Sequence, residues 1–125
     1  MDTRAAGMGI VLVAVVMLTI AQLTIKARLN AHGTVPFDLG GLFRYALELL
    51  RDWKLVAGGL ALVVSSLCWY AGVSRIPLSQ AYALAAITYP LIFLGAVFIL
   101  HEPLTWQGIA GNLAIVVGIL LIAST

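Results

Sequence analysis

Charge is what this chain has least of. Only 10% of its 125 residues are Asp, Glu, Lys or Arg, against roughly a quarter in a soluble domain, so a water-facing surface of ordinary extent is excluded. The single cysteine excludes an intramolecular disulfide, and Cys68 lies in an apolar run where it reads as a small buried hydrophobe. The two histidines, His32 and His101, both fall in connections. HExxH, CxxC, a phosphate-cradling glycine loop and a nucleophile elbow are all missing. These absences argue against an enzyme, a metal site and a cofactor. Seven Lys and Arg stand against five Asp and Glu, with no basic patch interleaved with aromatics, which argues against nucleic acid as a partner.

What is abundant is hydrocarbon. The chain is 62% hydrophobic with a mean hydropathy of +1.08, and a soluble domain of this length buries only about two thirds of its surface. Lipid has to cover the rest, so the chain reads as an integral membrane protein. Four runs, about 7–28, 54–74, 78–100 and 105–123, each reach across a hydrocarbon core of ~30 Å at ~1.5 Å per residue. With no water there to satisfy backbone groups, such runs are helices. The expected fold is all-α: one polytopic domain of four transmembrane helices. The first run, from Gly7 to Ile25, lacks a clear small-x-small cleavage site and reads as a retained span, not a signal peptide.

Between the first two spans lies AHGTVPFDLGGLFRYALELLRDW, where Gly33, Pro36, Gly40 and Gly41 break the chain. Beyond the break, Leu42, Phe43, Ala46, Leu47, Leu50 and Trp53 share one helical face and Arg44, Glu48, Arg51 and Asp52 the other. This pattern predicts an amphipathic helix lying at the membrane interface, with Glu48 placed to pair with Arg44 or Arg51. The later connections, SRIP (74–77) and HEPLT (101–105), are short enough to predict that spans two, three and four pack as antiparallel neighbours. Trp53, Trp69, Tyr70 and Trp106 fall near span ends as headgroup-level anchors. Lys26, Arg28, Arg44, Arg51 and Lys54 lie at the first connection, against Arg4 and Arg75 on the opposite side, which predicts a cytoplasmic first connection and external termini.

Polar groups within the spans are the candidates for function, since they are costly in hydrocarbon and face a bundle interior or cavity. Thr19, Gln22 and Lys26 recur at i, i+3 and i+7 and so share a face of the first helix. Two roles fit that strip. Lys26 either snorkels to the headgroups or meets an anion, and Gln22 either bridges helices or lines a cavity. The third span carries Tyr82, Thr88, Tyr89 and Pro90. Proline cannot donate to the carbonyl of Ala86, so a kink is predicted that frees an acceptor beside Thr88 and Tyr89. Gly108, Gly111 and Gly118 in the fourth span let helices approach closely, as a dimer contact would require. Glu102, near the start of that span, suits either a helix cap or a contact with an amino group. Four helices are few for enclosing a substrate path, so transport implies a dimer or a partner subunit.

AQLTIKA (21–27), RIPLSQAYAL (75–84) and HEPLTWQGIAGNLAIVVGILLIAST (101–125) resemble the small four-helix members of the drug/metabolite transporter superfamily. The small multidrug resistance branch is similar in length, in the I-P-x-x-x-A-Y-A opening of helix three, and in a glycine pair seven apart, here Gly111 and Gly118. That branch depends on a glutamate eight places before a lysine like Lys26, and here the place holds Leu18. Its helix-three tryptophan and glycine pair are also missing, with Ala85, Ile87 and Tyr89 in that stretch. The paired small subunits of the flippase for aminoarabinose linked to undecaprenyl phosphate are the nearer likeness. The shared strings are A-Q-L-x-x-K-A, Cys68-Trp69-Tyr70 before Leu78-Ser79-x-Ala81-Tyr82-Ala83-Leu84, and His101-Glu102-Pro103.

That resemblance implies a translocator of a polyprenyl-phosphate glycolipid in a bacterial inner membrane, serving lipopolysaccharide modification. It would work among membrane lipids as a homodimer or as a heterodimer with a similar small subunit. Lys26 would meet the phosphate, with Gln22, Thr19, Tyr82, Thr88 and Tyr89 toward the sugar and Glu102 toward an amino group. A small cation transporter and an accessory subunit of a membrane glycosyltransferase are the competing readings.

Overall fold

The computed structural model describes residues 3–124 and is all-helical among them. Helices α1 (Thr3–His32), α2 (Leu39–Leu50), α3 (Trp53–Val73), α4 (Leu78–Ala85), α5 (Thr88–Phe98) and α6 (Trp106–Ala123) follow one another. Four stretches are long and apolar enough to cross a membrane: α1, α3, α4 together with α5, and α6. At ~1.5 Å per residue, α1 with 30 residues extends about 45 Å and α6 with 18 about 27 Å.

Each boundary has a local cause. Gly33 at φ 86° ends α1 by turning into the left-handed region, where its N–H donates to Leu29 O at 2.9 Å, a conformation glycine takes without strain. Asp38, Asp52 and Thr105 start α2, α3 and α6 by accepting backbone N–H groups with their side chains, as short polar residues do at helix N-termini. His101, at φ 58°, turns the chain after α5, and the Glu102 N–H reaches back to Ala96 O at 2.9 Å. Pro103 then prevents the helix from resuming.

The connection between the first two spans departs from its pattern in two places. Asp52 ends the amphipathic segment and caps the next helix, so Trp53 opens α3 and does not belong to the interfacial face. Glu48 makes no ion pair with Arg44 or Arg51 among the described residues; the ion pairs there converge on Asp52, which has the better placed carboxylate. Leu42, Phe43, Leu47 and Leu50 of α2 are exposed, as an interfacial helix presenting them to lipid requires. Tyr45 anchors α2 from the other side, its hydroxyl donating to Gly33 O at 2.7 Å.

Packing follows chain order only in part. Helix α1 lies along α3 and also meets α4 and α5, while α3 meets α4 only sparingly. Spans two and three are therefore only lightly packed on each other, despite the short SRIP turn, whereas spans three and four do pack as neighbours. Small residues decide this, because between helices in lipid close van der Waals approach replaces the hydrophobic drive. A Cβ at Gly7 would strike Ile76 and Arg75, one at Gly72 would strike Val11, and one at Gly58 would strike Ile25. The Ser65 hydroxyl seals the contact by donating to Ala14 O at 2.8 Å. The core of Val11, Val15, Ile76, Ala81 and Leu84 sits where α1 meets α4.

The third span is broken in two. Ala86 and Ile87 form a tight turn in which Ile87 N–H bonds Leu84 O at 3.1 Å and Tyr89 N–H bonds Ala86 O at 3.1 Å. The break falls one turn before Pro90, where the proline ring crowds that carbonyl. The Ala86 carbonyl is thus taken by Tyr89 and not left free.

Candidate functional site

A recess of about 260 Å³ opens between α1, α3 and α4. Ala14, Val15 and Leu18 form one wall, Ser65, Ser66, Trp69 and Tyr70 the second, Tyr82 and Ala85 the third. Leu18 stands ten residues before Arg28, about 15 Å along the axis, so the recess is well inside the span. Trp69 and Tyr82 meet edge to face with ring centroids 5.3 Å apart, an arrangement the opposed quadrupoles of ring face and edge favour. Ser65 donates to Ala14 O and Ser66 to Leu62 O, leaving both hydroxyl oxygens able to accept. The wall thus combines aromatic surface with hydroxyl groups and contains no carboxylate, and Leu18, at the position the resemblance sets against the multidrug branch's glutamate, lines it.

The residues singled out from the sequence are divided by the fold. Tyr82 is in the recess. Thr19 is 7% exposed and back-bonds to Val15 O at 2.8 Å, inside the α1 contact. Gln22 and Lys26, one and two turns further on, are exposed, so the stripe running through Val11, Val15 and Thr19 leaves the core and opens outward. Thr88 keeps a buried hydroxyl oxygen without a hydrogen-bond partner, while Tyr89 is exposed. Glu102 is exposed and caps no helix among the described residues; Thr105 caps α6 by accepting from Gly108 N at 3.1 Å. Pro90 borders an apolar groove between α5 and α6. Gly108 packs on Phe93, whereas a side chain at Gly111 or Gly118 would meet nothing.

Sequence reasoning passed over Ser65 and Ser66 as a site and read Trp69 and Tyr70 as anchors. A signal was there: Ser65, Trp69 and Gly72 recur at i, i+4 and i+7, so they share the face of α3 that Gly72 turns toward α1.

At the end of the bundle that holds the first connection, Asp52 is the hub. Its Oδ2 accepts from Arg28 Nε at 2.6 Å and lies 2.9 Å from His32 Nε2. Its Oδ1 accepts from the N–H groups of Lys54 and Leu55 at 3.1 and 3.4 Å. Hydrogen bonds from His32 and then Arg28 hold the Asp52 carboxyl well below the usual carboxylate range. This cluster ties the end of α1 to the start of α3.

Comparison with known proteins meets the same features. No family model and no solved structure matches the chain. A protein of Erwinia tasmaniensis is 36% identical over 121 residues, covering 93% of each chain. One of Klebsiella pneumoniae is 32% identical over 114 residues, covering 89% of this chain and 90% of the relative. One of Shewanella sediminis is 30% identical over 125 residues, covering 93% and 86%. All three carry the name "Probable 4-amino-4-deoxy-L-arabinose-phosphoundecaprenol flippase subunit ArnF". With four membrane-spanning stretches and relatives matched over nearly their whole length, the chain is a multi-pass membrane protein that belongs to this family of flippase subunits.

Proposed function

We propose that the chain is one subunit of a translocator that carries an undecaprenyl-phosphate-linked amino sugar, such as aminoarabinose, across a bacterial inner membrane. The single observation that carries the reading is the recess at Leu18, aromatic and hydroxyl-lined where a cation antiporter of the resembling branch holds a carboxylate. A glycosyl headgroup needs such walls: sugar C–H faces lie on Trp69 and Tyr82 while Ser65, Ser66 and Tyr82 exchange hydrogen bonds with its hydroxyls. An ammonium group on the sugar is held by the faces of the same rings. The polyprenyl tail stays in lipid throughout, so the path has to be open sideways, and the recess lies between helices and not inside a closed tube.

Lys26 serves as a point charge for the phosphate where the stripe of α1 opens outward, with Gln22 beside it. Gly111 and Gly118 form the contact with a second copy or a similar small subunit, completing a path that one chain does not enclose.

The experiment is native mass spectrometry of the assembly gently extracted from its host membrane, together with a headgroup-flipping assay in proteoliposomes. A dimer retaining a polyprenyl-phosphate sugar, and Lys26→Ala abolishing flipping while the dimer persists, is the expected result. A lipid-free dimer retaining hydrophobic cations points to the cation transporter instead, and stable association with a glycosyltransferase without transport points to an accessory subunit.

A further inference from the structure

The end of the bundle that holds the first connection has an open cleft of about 440 Å³ where α1, α2 and α3 converge. We infer that this cleft binds the anionic phosphate headgroup of a lipid, at a site separate from the midspan recess and from Lys26. Lys26 stands two residues before Arg28, about 200° round the helix, and so on another face of α1.

The cleft is built for an anion by what Asp52 leaves over. That carboxylate accepts Arg28 Nε and two backbone N–H groups and contacts His32, and its side chain is 6% exposed. Arg28 uses only Nε among the described residues, so its terminal nitrogens are held in a fixed plane with no protein partner. Such a planar fork matches two oxygens of a phosphate. Arg51 and Lys54 line the same cleft and form no ion pair among the described residues. Glu48 is the other acid in the lining, and with Asp52 it leaves the three cations in excess.

Position identifies the anion as a lipid's. Trp53, 73% exposed, stands at the mouth with the Lys54 ammonium 5.8 Å from its ring centroid, and indole rings settle at the headgroup level. The exposed apolar residues of α2 place the same level beside the cleft. A soluble anion would need none of this.

The test reconstitutes the whole chain in phosphatidylcholine nanodiscs doped with undecaprenyl phosphate or with phosphatidylglycerol, and reads retained lipid by native mass spectrometry. The expected result is retention of doped anionic lipid over phosphatidylcholine, reduced about thirty-fold in the R51Q/K54Q double variant, whose exposed positions leave the fold intact. R28K, which keeps the charge and the pull toward Asp52 but loses the fork, reduces retention by a smaller factor. Retention of undecaprenyl phosphate alone assigns the cleft to a lipid-linked substrate, equal retention of phosphatidylglycerol to bulk anionic lipid, and either supports a phosphate site. Undiminished retention in R51Q/K54Q, or no preference over phosphatidylcholine, overturns it. The assay contains no transport step, so a chain that binds lipid here and moves nothing would sink the translocator reading alone.

Discussion

The two sides of this bundle are made differently. Where α1 crosses α3, glycines are pressed against neighbouring side chains at Gly7, Gly58 and Gly72, and a serine hydroxyl reaches across to the facing backbone. On the other side, α6 buries only Ile119, and its Gly111 and Gly118 face empty space. The same residue type is thus used up within the chain on one side and left unused on the other. Small residues in a membrane helix mark close approach, and the contact with a second chain proposed above uses the pair that this chain leaves open.

The largest effect should come from filling the used side. Gly72→Leu puts a side chain where Val11 already lies, and unfolding in detergent micelles should become easier by about 3 kcal/mol or more, at or beyond the upper end of overpacking costs. A loss below 1 kcal/mol would mean that the crossing is loose. Ser65→Ala at the same crossing should cost about 1 kcal/mol, since it removes the bond to Ala14 O; no change would show that the contact rests on the glycines alone.

Filling the open side should do the reverse. Gly111→Leu with Gly118→Leu should change the unfolding of the isolated chain by no more than about 0.5 kcal/mol, while chemical cross-linking of the assembly disappears. Persistent cross-linking would move the partner contact off α6. The smallest effect expected is from pH at the α1–α3 end. Because the Asp52 carboxyl is held below its ordinary value, its contribution to stability is fully present above the unfolded value of about 3.9. That contribution is lost only as pH falls through the lower, folded value. The melting temperature should therefore not respond to this group between pH 7 and pH 5, and Asp52→Asn should be less stable throughout that range. A wild-type loss already complete at pH 5 would contradict the geometry.

The spans were legible because lipid imposes a simple rule on length and polarity, whereas the helix starts were not: the cap considered was Glu102, and Asp38, Asp52 and Thr105 are the residues that cap. The order of packing was legible only in part. Short loops at SRIP and HEPLT suggested neighbours in sequence, and α6 does pack on α4 and α5. But α3 packs on α1 far more than on α4, because which helices touch depends on where small side chains face each other, and a single sequence gives Gly72 no address until α1 is laid on it. Thr19, Gln22 and Lys26 share a face by periodicity, yet nothing in their spacing says that the face closes over Thr19 and opens at Gln22. Trp69 was legible as amphipathic but not as a wall, since its partner Tyr82 lies beyond a turn whose direction the sequence leaves open.

The unequal lengths of α1 and α6 have a consequence for the bilayer itself. A helix of about 45 Å overshoots a hydrocarbon core of ~30 Å and tilts or protrudes, while one of about 27 Å only just spans it, so any thickening costs fractions of a kcal/mol per Å at α6 first. The bilayer is therefore matched most tightly along the α6 side, and under the proposed function that is the barrier a headgroup crosses. Activity of the assembly should consequently depend on acyl-chain length, falling as the host membrane thickens.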